Sequence, residues 1–156
     1  MNIKKIEFSI IFVLCCVSAL SQKHSNGVEP NIVKEMIESN SFKINILNIT
    51  RDNQTLAIYS KNSIEVKGDT IKASFPYFYR DDNPKTATQS NIEIDTAIKK
   101  ISVKDKKNDG RFEIKIVTAA PKKYTIVINV GYDAYCTIQV TDKQNTVTYN
   151  GRLQTK

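Results

Sequence analysis

An all-β antiparallel fold preceded by one short helix is what this sequence predicts: a meander closed as a barrel or folded as a sandwich. Three observations carry that prediction. From Ser41 onward, apolar residues recur at every second position in run after run, as in strands with one dry and one wet face. Turn signals such as Gly68-Asp69 and Asn108-Asp109-Gly110 separate the runs. Apolar residues make up 40% of the 156-residue chain, enough to fill a core and too many for a disordered chain.

Taken in order, the chain begins with a secretory signal over residues 1–21. Lys4 and Lys5 supply the positive start, Phe8 to Leu20 is mostly apolar, and Ala19-Leu20-Ser21 suits cleavage before Gln22. The uncharged stretch Phe8 to Gln22 has 15 residues, short of the roughly 20 that span a bilayer. Cys15 and Cys16 raise the alternative of a lipid-anchored protein, but Leu14 and Cys15 are poor residues to precede an acylated cysteine. Cleavage leaves Cys136 as the mature chain's one cysteine, so no intramolecular disulfide can form and the core must supply the stability.

Residues 22–29 read as a polar, flexible linker, and residues 30–156 as a single β domain with an N-terminal helix. Pro30 suits a first helical turn. Ile32, Val33, Met36 and Ile37 then fall on one face, and the helix stops near Asn40. So short a helix is not stable alone, and its apolar stripe must pack on the rest.

About eight short strands follow. Phe42, Ile44 and Ile46 open the series, then Ile64 and Val66, and Ile71, Ala73 and Phe75 after the Gly68-Asp69 turn. Ile92 and Ile94 come next, then Ile101 and Val103, and Phe112, Ile114 and Ile116. Tyr124 to Val130, then Ala134, Cys136, Ile138 and Val140, then Val147 and Tyr149 complete it before Asn150-Gly151. Tight turns join antiparallel neighbours, and so long a sheet must curl or fold to bury its apolar face.

Several chemistries are missing. The single His24 lies in the linker with no ligand-spaced partner, so it reads as a solvated residue, and neither a metal site nor a histidine relay is expected. Cys136 shares the apolar register of its strand and reads as a small buried hydrophobe. Glu93 and Asp95 alternate with Ile92 and Ile94, which puts them on the wet face. No phosphate-binding glycine loop or nucleophile elbow occurs, so no catalytic residue and no cofactor is expected.

Two segments stand out. Pro76 to Ser90 is a long strand-poor stretch that begins with Tyr77, Phe78, Tyr79 and Arg80. Aromatics beside a guanidinium suit contact with a sugar or an anionic group, or else close one end of the core. The second segment is basic, with Lys99, Lys100, Lys104, Lys106, Lys107 and Arg111 against Asp105 and Asp109. It fits an anionic glycan or lipid headgroup better than nucleic acid, since no aromatic lies between Ile101 and Arg111 to stack on bases. Its plain reading is a charged hairpin that keeps a strand edge from pairing with other chains.

The stretch Phe75-Pro76-Tyr77-Phe78-Tyr79-Arg80 after a Gly-Asp hairpin resembles the Leu-Pro-Tyr-Phe-Gly-Arg motif of the "domain of unknown function 4251" family. Gly131, Ala134, the strand Cys136 to Val140 and Val147-Thr148-Tyr149-Asn150-Gly151 are similar too. The chain departs from the motif at Tyr79 and Phe75. The resemblance runs from the short helix to Gly151. It implies a small exported protein of Gram-negative bacteria with a helix before a lipocalin-like antiparallel fold, and it brings no activity. The resulting expectation is a non-catalytic protein of the periplasm or outer envelope that binds a small apolar, amphipathic or anionic ligand. The alternative is a structural or protein-interaction module of the envelope.

Overall fold

The computed structural model describes residues 29–51, 54–58, 61–78, 89–143 and 145–155. The expected signal segment, His24 and all but the last residue of the expected linker lie outside them. In chain order the described elements are α1 (Pro30–Glu38), β1 (Ser41–Arg51), β2 (Gln54–Ala57), β3 (Ser63–Lys67), β4 (Thr70–Phe78), β5 (Gln89–Lys106), β6 (Arg111–Thr118), β7 (Tyr124–Gly131), β8 (Tyr135–Asp142) and β9 (Asn145–Leu153). A 3-10 turn, Lys107–Asp109, joins β5 to β6.

The strands pair antiparallel with their chain neighbours, and β9 returns to pair with β1. That last pairing makes the fold a closed barrel rather than a sandwich. Strand β2 stands aside from the ring. It pairs with the second half of β1, on the edge whose first half pairs with β3. Alternation explains the interior: Ile44, Ile64, Ile71, Phe75, Ile114, Ile126, Ile138 and Tyr149 are fully buried in one cluster. Helix α1 adds Val33 and Ile37 to that cluster, each burial stabilising by roughly 1.5–3 kcal/mol. The helix ends where Asn40 turns left-handed (φ 49°), and its carbonyl accepts the Gly68 N–H at 2.8 Å.

Three sequence expectations need correction. The runs Ile92–Ile94 and Ile101–Val103 belong to one 18-residue strand, β5. A bulge between Ile98 and Lys100 shifts its register, so the inward positions change from even to odd numbers. The Pro76–Ser90 stretch is shorter than expected at both ends, because Pro76 pairs with Asn91, Tyr77 with Ser90 and Phe78 with Gln89. The last strand does not stop before Asn150 and Gly151. Both lie inside β9, opposite Asn48 and Ile46 of β1.

On the outside, charges of opposite sign line up across four strands, as Lys43, Glu65, Lys72 and Asp95 stand successively opposite one another. Lys72 Nζ reaches Asp95 Oδ2 at 3.6 Å. A hydrogen bond from Lys67, with its charge, holds the Glu65 carboxyl below the usual carboxylate range.

Candidate functional site

The two sequence-picked segments sit at opposite termini of β5. Tyr77 and Phe78 stand in register beside its start, and Tyr79 and Arg80 lie outside the described residues. The basic residues occupy its other half. Lys100, Lys104 and Lys106 share its outer face, opposite Val117, Glu113 and Arg111 of β6. Lys99 sits at the bulge, and Lys107 opens the 3-10 turn. Lys115, opposite Ser102, joins the same face; its place between Ile114 and Ile116 was the available sequence signal. Among the described residues, β5 beyond Ile98 forms a strand pair with β6 alone, which suits the edge-guarding role of its lysines.

The next strands carry a different surface. Glu113, Asn129, Thr137, Asn150 and Asn48 stand successively opposite one another across β6, β7, β8, β9 and β1. The first four alternate with buried residues and so face outward, and Asn48, just past the β1 bulge, stands opposite Asn150 on the same face. The Asn150 amide donates to Asn48 Oδ1 at 2.7 Å and to Thr50 Oγ1 at 3.2 Å. This leaves Asn150 Oδ1 turned toward Thr137, whose hydroxyl donates to it at 3.5 Å. The Asn129 side chain makes no hydrogen bond among the described residues.

One step closer to the β7–β8 turn, Arg111 stands opposite Gly131, and Tyr135 stands opposite Arg152. Gly131 makes room there for the Asp133 carboxylate, which takes the place a Cβ would fill. The result is an open hollow of about 660 Å³ whose lining includes Arg111, Asn129, Gly131, Tyr135, Thr137 and Asn150. Its rim is tied down. Arg111 donates to Asp109 at 3.1 Å, the Tyr135 N–H donates to Asp133 Oδ1 at 3.1 Å, and the Arg152 guanidinium lies 5.0 Å from the Tyr135 ring centroid. Tyr132 packs on Phe112 and donates its hydroxyl to Asp105 at 2.9 Å, which raises the phenol's pKa.

The groups in this hollow offer hydrogen-bond donors and acceptors, one exposed ring and fixed charges. Cys136 lies beneath it, but its thiol is buried and pushed up to about 12 by desolvation, far from the thiolate that nucleophilic chemistry needs. Among the described residues no three His, Cys, Asp or Glu side chains converge as metal ligands. Sequence reasoning named Arg111 but missed Asn129, Thr137 and Asn150, because their proximity exists only across strand pairs.

Comparison with known proteins agrees with this architecture. A crystal structure of a DUF4251 family protein from Bacteroides eggerthii DSM 20697 superposes with a TM-score of 0.66 at 16% identity, covering 85% of this chain and 91% of that one. At that identity the likeness speaks for the fold alone. No curated protein matches the chain. The model of the family described as domain of unknown function (DUF4251) matches residues 25–153, which takes in α1 and all nine strands, and the chain therefore belongs to the DUF4251 family.

Proposed function

We propose that this is an exported, non-catalytic binding protein of the bacterial envelope that takes its ligand on the outside of the barrel, in the hollow between Arg111 and Tyr135. One observation carries the reading. The hollow's volume of about 660 Å³ lies within the range of ligand sites, about 300–1,000 Å³, while the described inward positions are occupied by packed core side chains. Its lining mixes amide, hydroxyl, guanidinium and carboxylate groups with apolar surface, which suits a ligand that has both polar groups and apolar faces. Export rests on the signal pattern of residues 1–21.

Native mass spectrometry of the mature protein purified from its own host tests the binding reading. A non-covalent adduct is expected on the wild type and lost in Thr137→Trp, which fills the hollow from an exposed position. An adduct that survives Thr137→Trp, or apo protein alone in both, would count against the site. Cell fractionation and the mass of the mature N-terminus test export; a cytoplasmic chain beginning at Met1 would refute it.

A further inference from the structure

We infer that the hollow holds one ring of an acidic glycan whose charged groups extend over the lysines of β5, an inference that rests on the surface-binding reading above. A sugar ring offers paired hydroxyls at its edge and C–H groups on its faces. The hollow answers both. An amide presents a donor beside an acceptor, the arrangement that two neighbouring hydroxyls complement. Asn129 has its amide unengaged among the described residues and can present that pair, while Asn150, whose NH2 is taken by Asn48 and Thr50, offers only the second lone pair of an oxygen held toward Thr137. This preorganisation lowers the cost of ordering the site on binding. Tyr135, 55% exposed, supplies a ring that the Arg152 guanidinium holds in place.

Charge gives the second half of the inference. Lys106 stands directly opposite Arg111; like charges in that relation are destabilising, and the Asp109 carboxylate, 3.1 Å from Arg111, offsets this only on the Arg111 side. Guarding an open strand edge requires cations on β5 but not a further cation facing them on β6. Lys104 shares this face two residues away, opposite Glu113. Among the described residues neither Lys104 nor Lys106 has a carboxylate within ion-pair distance, whereas the Lys72 side chain on the opposite-sign row does. Arg111 is common to both features, for it lines the hollow and faces Lys106. A ligand seated against Asn129 and Thr137 and leaving past Arg111 therefore runs onto cations, and a chain with carboxylate or sulfate groups relieves their repulsion.

The test is NMR titration of the mature chain with tetragalacturonate, a hyaluronan tetrasaccharide and a heparin-type tetrasaccharide, with maltotetraose and inorganic polyphosphate as controls. At least one acidic tetrasaccharide is expected to shift the Asn129 and Asn150 side-chain amides saturably, and maltotetraose to do so more weakly. Asn129→Ala should weaken that binding about tenfold. The double variant Lys104→Ser/Lys106→Ser should weaken it and flatten its salt dependence. Both substitutions sit on exposed or half-exposed positions, so folding is kept; a heat-denaturation curve verifies it. Polyphosphate that binds over Lys104 and Lys106 while no acidic sugar moves the two amides would overturn the inference. Equal binding of maltotetraose would remove its acidic half. If the host-purified protein carries an adduct sensitive to Thr137→Trp and every sugar fails, the glycan assignment falls while the surface site stands.

Discussion

Cys136 illustrates how far a single residue can be read. Its phase with Ile138 and Val140 predicts a buried side chain, and it is 3% exposed, its thiol directed at the Ala134 carbonyl at 3.5 Å. Burial raises the thiol from its ordinary 9.0 to about 12. A group whose folded pKa is raised contributes stability that is full below the unfolded value and is lost as pH climbs toward the folded one. The stability of the wild type relative to Cys136→Ala should therefore decline from about pH 9 upward, as read from urea midpoints. Native protein near neutral pH should also resist maleimide and react only once denatured; rapid native labelling would contradict the burial. Ala134, by contrast, shares the apolar phase of the strand but sits in the turn at φ 69°, a conformation that alternation of side chains cannot reveal.

Element by element, periodicity locates the strands of the ring, misses the short β2 beside it and misses the continuity of β5. The even phase of Ile92 and Ile94 and the odd phase of Ile101 and Val103 are both visible in the sequence. A phase change can mark either a turn or a bulge, and only the pairing with β4 and then β6 decides for the bulge. Asn150-Gly151 misled for a related reason. The dipeptide suits a turn, but here Gly151 serves close approach. A Cβ on it would lie 2.5 Å from the Asn45 carbonyl oxygen and 3.0 Å from Ile44 Cγ2. Gly151→Ala should thus push β9 off β1 and destabilise the protein by about 1–3 kcal/mol, seen as a lowered denaturant midpoint with an unchanged slope.

The barrel as a whole is tied across its interior by Tyr149. From β9 its hydroxyl donates to the Pro76 carbonyl of β4 at 3.0 Å, and its ring lies 5.1 Å from that of Phe75. Tyr149→Phe keeps the ring and strands the carbonyl, so thermal or urea unfolding should report a loss of about 1–3 kcal/mol. The sequence by itself determined the class of the fold, the helix before the strands and which side of most strands faces inward, because all three follow from spacings within one segment. It also marked the basic half of β5. Closure of the ring through β1 and β9, the single long β5 and the hollow were decided by the tertiary structure alone. Arg111, Asn129, Thr137 and Asn150 belong to four strands, and no local pattern encodes which strands become neighbours or in what register; that is set when the inward faces of all of them must be buried together.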